Sequence, residues 1–302
     1  MTDASPAPMG APRQVGVEMM ASLYQHRLLS TEQLHAMHCP HTSEQWGRQV
    51  LRELKIAGYV ASTNKRGGLP GEPMRLWFLT ELGANAVELT PQAEDRRIIV
   101  SDAGAAGQLQ AHTLGVNDVG IAFMASAGAR GDICGPLAWR HEVAHNIGGG
   151  AGRRGERVIA DAVLEYTLSG EDEIGILYRF IELDRGTMTL GAVSQKLARY
   201  ARLASYSEEP GRAATPLWRQ FYPTLPAVLV VFAGRRRSEL EQRMDVLASL
   251  ANAEPVLASS EIAVLFALLE DLQERGPFAP IFIGAHAPDT PIDWLGRPEG
   301  TP

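Results

Sequence analysis

Two acids and a lysine stand in this chain where their types and spacing suit work on a phosphodiester. Asp161 lies within Arg157-Val-Ile-Ala-Asp-Ala-Val-Leu-Glu-Tyr166, and Glu182 lies within Leu177-Tyr-Arg-Phe-Ile-Glu-Leu-Asp-Arg-Gly186. Both runs are rich in β-branched and aromatic residues and read as strands. Side chains alternate along a strand, so Ile159, Asp161 and Val163 share a face of the first, and Tyr178, Phe180, Glu182 and Asp184 a face of the second. If the strands pair, Asp161 and Glu182 converge, and two carboxylates with water suit a hard cation such as Mg²⁺. Carboxylates in mid-strand are costly unless paired or bound to a metal. The third group is Lys196. Residues 189–206 read as a helix with an apolar stripe of Leu190, Val193, Leu197, Tyr200 and Ala204. Lys196 borders that stripe, from which it can bury its stem and send its ammonium toward the acids.

A second constellation is His141-Glu142-Val143-Ala144-His145, which matches the zinc-peptidase pattern H-E-x-x-H. That chemistry needs a helix to put both histidines on one face, with the glutamate as base. Here the stretch is confined between Pro136 and Gly148-Gly-Gly150, and the position of a third histidine in the extended motif holds Ala151. The run reads instead as an edge strand. Basic residues cluster at Arg153, Arg154 and Arg157, and again at Arg235-Arg-Arg237, where phosphate contact and a plain solvated helix start are both open.

The elements ahead of these motifs read clearly. Val15 to Gln25 is a short helix, and Ser30 with Gln33 forms a capping box for a second. Ser43 caps a third, whose apolar positions Trp46, Val50, Leu51 and Leu54 recur at helical spacing. Residues 59–63 and 74–79 read as two strands around a Gly/Pro-rich turn, and Thr80 caps another helix. This order resembles the winged helix-turn-helix class over residues 15–90. In that class the helix begun at Ser43 enters the major groove. The resemblance makes Ser43, Gln45, Arg48, Gln49 and Arg52 candidates for base edges, and Lys65, Arg66 and Arg75 on the wing candidates for phosphate. Such a module also serves as a protein-interaction domain.

Residues 1–14 read as a disordered leader, 91–106 as a linker, 107–286 as a second domain and 287–302 as an irregular tail. Within the second domain, Gln108–Ala127 reads as a helix, Ile133–Glu142 as a first strand, and Ala227–Ala233 as a strand buried on both faces. Ser238–Ala251 and Glu261–Glu274 read as helices, and Pro280–Gly284 as a last strand. The 302-residue chain carries a net charge of −7, so any contact with nucleic acid must come from a local patch. Two cysteines far apart, Cys39 and Cys134, suit a reducing compartment and no structural zinc site. No apolar run has the length of a bilayer span, so the expectation is a soluble cytoplasmic protein without membrane partners.

Asp161 in a strand, then Glu182-Leu-Asp-Arg-Gly-Thr187 and Lys196-Leu-Ala-Arg-Tyr200, resemble the PD-(D/E)XK nuclease superfamily. With the winged helix in front, residues 15–235 look more narrowly like the replication-relaxation family. The resemblance implies an α+β/α/β chain: a winged helix-turn-helix followed by a PD-(D/E)XK-like domain with a central mixed sheet flanked by helices. It also implies double-stranded DNA as partner, replication or conjugation proteins beside it, and a role in replicating or mobilising plasmid or other mobile DNA. In such a protein Asp161 and Glu182 would hold Mg²⁺ and Lys196 would orient the attacking water or stabilise the transition state of a DNA cleavage. Asp184 occupies the superfamily's usual lysine position, so Lys196 must substitute from the helix, and Asp184 becomes an extra ligand. The alternative is a non-catalytic regulator or replication adaptor, its charged residues forming a salt-bridge network in a degenerate nuclease fold.

Overall fold

The computed structural model describes residues 12–65, 74–90, 108–148, 156–170, 174–208 and 215–299. The chain divides into two compact units, Met1–Asn117 and Asp118–Pro302. The division falls inside a long helix, whereas the expected linker at 91–106 lies outside the described residues. Among the described residues no helix is long and apolar enough to cross a membrane.

Unit 1 runs α1 (Gln14–His26), β1 (Leu29–Ser30), α2 (Thr31–His38), α3 (Glu44–Ile56), β2 (Val60–Lys65), β3 (Met74–Leu79) and α4 (Glu81–Glu88), with the start of α5 (Gln108–Arg130). Local chemistry sets the helix starts. Ser30 and Gln33 close a reciprocal capping box at α2, Ser43 accepts from the Trp46 amide at α3, and Thr80 accepts from the Gly83 amide at α4. The three strands form one antiparallel sheet in the order β1-β3-β2. Sequence reading omitted β1, because two residues are too short to show a period; they pair as Leu29 with Trp77 and Ser30 with Leu76. Met19, Leu23, Leu34, Val50, Leu51 and Leu54 are buried from the helices, and Leu28, Leu76, Phe78 and Leu114 pack together against the sheet.

Unit 2 is built on a seven-stranded mixed sheet in the order β10-β9-β8-β7-β6-β5-β4. The strands are β4 (Trp139–Gly148), β5 (Glu156–Ser169), β6 (Ile174–Asp184), β7 (Ala227–Phe232), β8 (Val264–Leu268), β9 (Phe282–Gly284) and β10 (Ala287–Ile292). The first three form an antiparallel meander. From β6 the chain crosses through α6 (Leu190–Ser205) to β7, which lies parallel to it, and β8 continues the parallel run beyond α7 (Arg237–Ala253) and α8 (Pro255–Ala258). Helix α6 and helix α7 cover one face. There Val193, Leu197, Tyr200, Leu240, Leu247 and Ala251 pack on Phe180, Val228, Val230, Phe232, Val264 and Phe266. Elsewhere in the unit, Phe123 of α5 packs edge-on against Tyr166 and Trp294.

Three sequence expectations change. The stretch 133–142 is not one strand: β4 begins at Trp139, and Ile133 makes only an isolated bridge to Thr167. Residues 261–274 are not one helix. Val264–Leu268 form the fully buried strand β8, and helix α9 (Leu269–Arg275) follows; a short apolar run fits a buried strand and a buried helix equally well. The tail is not irregular throughout. Ala287–Ile292 form β10 despite two prolines, held at the sheet edge while Trp294 beyond it is wholly buried.

Helix α5 carries two glycines of opposite consequence. A Cβ on Gly120 would lie 2.3 Å from the Trp139 ring, whereas one on Gly128 meets nothing within 4 Å. Gly120→Ala is therefore expected to lower stability by about 1–3 kcal/mol through overpacking. Gly128→Ala is expected to raise it by up to about 1 kcal/mol through helix propensity. Thermal or denaturant melting of the two variants checks both signs.

Candidate functional site

Two places gather the residues singled out from sequence, one in each unit. In unit 1, α3 turns Val50, Leu51 and Leu54 inward, which leaves Ser43, Gln45, Arg48, Gln49 and Arg52 exposed on the outer face. Ser43 is occupied as the cap. Arg48 donates to Glu44 at 2.9 Å and Gln49 to Glu53 at 3.1 Å, both one turn away along the surface. Such exposed pairs stabilise by only about 0.3–0.5 kcal/mol, so a stronger ligand displaces them readily. A groove of about 330 Å³ lies beside α3, lined by Thr31, Glu32, Arg48, Arg52, Lys55, Met74, Arg75 and Trp77. Its floor is fixed where the buried Trp77 indole donates to Thr31 Oγ1 at 2.9 Å. Lys55, absent from the sequence candidates, donates to Ser62 at 2.8 Å on the same groove. Its signal was its position three residues after Arg52 on the same helix face. Lys65 closes the β2–β3 ladder opposite Met74; its side chain and Arg66 lie outside the described residues.

In unit 2 the β5–β6 ladder has its last pair at Ala162 and Ile181, so Asp161 and Glu182 are the next positions outward. There the Asp161 carboxylate replaces a strand carbonyl, with Oδ2 accepting from the Leu183 amide at 2.9 Å. Thr189 caps α6 and starts it in the register that sets Lys196 and Tyr200 one turn apart over the same strands. Lys196 Nζ donates to Asp161 Oδ1 at 3.0 Å and to Glu182 Oε2, and the Tyr200 hydroxyl donates to Glu182 Oε1. Asp161, Glu182 and Lys196 are thus brought together, as the strand pairing required. Tyr200 is the member that sequence reading missed; its place four residues after Lys196 was the available signal.

Asp184 is not part of that cluster. Its side chain accepts from Arg243 Nε at 2.8 Å and from the Gly186 amide at 2.7 Å, and Arg243 also donates to the Met188 carbonyl. Beyond it, Arg235 packs its side chain where a Cβ on Gly186 would stand, at a φ of 65° that favours glycine, and donates to the Gly186 carbonyl at 2.7 Å. Arg237 is held by Glu241, Glu270 and Asp271. Arg153 and Arg154 fall outside the described residues.

The charges explain the geometry. One ammonium can balance one carboxylate fully, and two acids face it. Burial, then the Asp161 charge, push the Glu182 carboxyl up to about 8, against the pull of Lys196 and Tyr200. Burial opposes the charge on Lys196, but Glu182 and Asp161 outweigh it and hold its pKa above the ordinary value. Burial and the adjacent Glu182 keep Tyr200 protonated. Tested against a divalent ion, these donors do not fit. Lys196 Nζ donates to both acids from between them, so a divalent ion bridging Asp161 and Glu182 would have to displace that ammonium. Among the described residues no group of three or more His, Cys, Asp or Glu is placed to hold a metal.

The histidine motif lies in β4, an edge strand, and not on a helix. Four residues span about 13 Å along a strand, too far for His141 and His145 to share an ion. Glu142 adopts φ 53°, and His145 is buried with Nε2 2.7 Å from the Tyr222 hydroxyl and its ring against Phe180.

These features define a protein with an exposed cationic helix face in one unit and a charge-paired sheet end in the other. The chain belongs to the replication-relaxation family, which matches residues 20–217 and so covers both places. No curated protein and no solved structure matches the chain significantly.

Burial lowers the His145 pKa to about 4, so the folded state holds it neutral while the unfolded chain takes up a proton below about 6.5. Its contribution is present above pH 6.5 and is lost as the pH falls toward 4. Denaturant melts are expected to show wild type losing up to about 3 kcal/mol more than His145→Gln over that window. Parallel curves would refute a neutral buried His145.

Proposed function

We propose that this protein binds double-stranded DNA through unit 1 and acts in the replication or mobilisation of plasmid or other mobile DNA. The observation that carries the reading is the groove between α3 and β3, where Arg48, Arg52, Lys55 and Arg75 line one surface of a chain whose net charge is −7. Cations gathered on one helix face of an acidic protein are the footprint of a phosphate-bearing partner. The order α1-β1-α2-α3-β2-β3 supports a winged helix-turn-helix reading, with α3 as the element for the major groove. Family membership supplies the replication theme.

Within the groove the residues divide by role. Arg52 and Arg75 line the groove with guanidinium groups of the kind that pair with phosphate. Gln45 and Gln49 on the exposed face of α3 have the amide geometry that reads adenine, and Arg48 that which reads guanine.

For unit 2, the order α5-β4-β5-β6-α6-β7 supports a PD-(D/E)XK-like core. Two roles compete there, Mg²⁺-dependent cleavage and a non-cleaving scaffold for replication or conjugation proteins. The Lys196 ammonium seated between the two carboxylates favours the scaffold.

Duplex binding followed by fluorescence anisotropy across a salt series tests the DNA reading. Each phosphate contact contributes about 0.9 to the slope of log K against log salt, so Arg52→Ala/Arg75→Ala is expected to bind more weakly and lower the slope by about 2. Wild-type affinity and slope in that double variant would sink the assignment of this groove. Supercoiled plasmid incubated with protein and Mg²⁺ is expected to remain uncut; cleavage lost in Asp161→Ala would restore the enzymatic role.

A further inference from the structure

The Asp161–Glu182 pair carries an observation that the DNA-binding reading does not use. Where two strand-borne acids converge, the space between them holds an ammonium supplied by the chain itself. We infer that Lys196 is the resident counter-cation of this pair, seated where a divalent ion would have to bind, so that unit 2 assembles without metal and becomes a divalent-cation site only when that ammonium is removed. The inference does not depend on whether unit 1 binds DNA.

The geometry supports it oxygen by oxygen. Asp161 Oδ1 lies 3.0 Å from Lys196 Nζ, and Asp161 Oδ2 lies 2.9 Å from the Leu183 amide. Glu182 gives one oxygen to Lys196 and the other to Tyr200. Magnesium demands six oxygens in near-octahedral array and gives up its waters reluctantly, so it competes poorly with an ammonium already seated between the two acids. A third carboxylate would help it, but Asp184 is engaged by Arg243 at 2.8 Å.

Lys196 is also placed as a fixed part and not as a wandering surface lysine. Its neighbours Val193, Leu197 and Tyr200 are buried in the core cluster of α6, and only about a fifth of its own side chain is exposed (21%). The ammonium is therefore delivered by helix docking. Removing it leaves two acids facing one another without a cation. The vacated volume then has what a hard divalent ion prefers, two carboxylates and room for water.

The test uses the full chain. Free Mn²⁺ is followed by electron paramagnetic resonance and stability by thermal melting, in MnCl₂ and in KCl of equal ionic strength. Wild type is expected to bind no stoichiometric Mn²⁺ and to melt at the same temperature in both. Lys196→Met is expected to melt lower in KCl, by on the order of 10 °C, as breaking a buried ion pair does. In Mn²⁺ it is expected to bind one ion per chain and recover most of that loss. Lys196→Met/Asp161→Asn/Glu182→Gln, which removes all three ionisable groups, is expected to melt above the single variant in KCl and gain nothing from Mn²⁺. Stoichiometric Mn²⁺ in wild type, lost on Asp161→Asn, would overturn the inference whether or not Lys196→Met folds. So would a Lys196→Met protein that remains unstable and metal-free in Mn²⁺.

Discussion

Two carboxylates at the end of a buried β-ladder repel each other and have lost most of their water, so the fold around them depends on where a positive charge comes from. In this chain it comes from α6, the crossover between β6 and its parallel neighbour β7. The cost of burying Asp161 and Glu182 is offset only when the helix docks, because Lys196 and Tyr200 reach the acids from one face of it. Sheet, crossover and charge balance are thereby one constraint. The same logic recurs at the next acid along β6, where Arg243 of α7 neutralises Asp184. Each of the two helices covering this face brings one cation to one end of the strand, and the apolar cluster between them fills the rest.

Unit 1 places its charge the opposite way. Its helices close on Leu, Val and Met side chains, and the cations of α3 stay at the surface, where Arg48 pairs with Glu44 a turn away and Lys55 donates to Ser62 of β2. A surface pair of that kind contributes little to stability and is free to exchange partners. Unit 2 also carries exposed arginine pairs, such as Arg202 with Glu156 and Arg237 with Glu241, but its pairs at Lys196 and Arg243 are largely buried.

Much of this was legible in the sequence, and what was legible was local. The caps at Ser30, Ser43 and Thr80 depend on residues three apart, and each stands where the spacing placed it. The convergence of Asp161, Glu182 and Lys196 followed from a two-residue strand period and a helical stripe, both readable without coordinates. Long-range facts were not legible. Nothing in Val264–Leu268 distinguishes a central strand from a core helix until β7 is seen beside it. Nothing local to Pro288 and Pro291 says that their segment pairs with β9. Asp184 read as an extra ligand because it shares a strand face with Glu182; its partner, 59 residues away on α7, could not be inferred from spacing. Tyr200 was counted as apolar stripe, which its ring is, while its hydroxyl serves the acid.

The left-handed Glu142 in β4 bears on how other proteins can approach this sheet. An unbroken edge strand displays a row of free amide and carbonyl groups that any extended peptide can extend. Here β4 ends the seven-stranded sheet, and in the middle of it the backbone turns to φ 53° at an exposed glutamate. That residue interrupts the row and sets a charge beside it. A strand laid along β4 would meet that left-handed turn and its carboxylate at mid-length, which disfavours growth of the sheet by strand addition at this end.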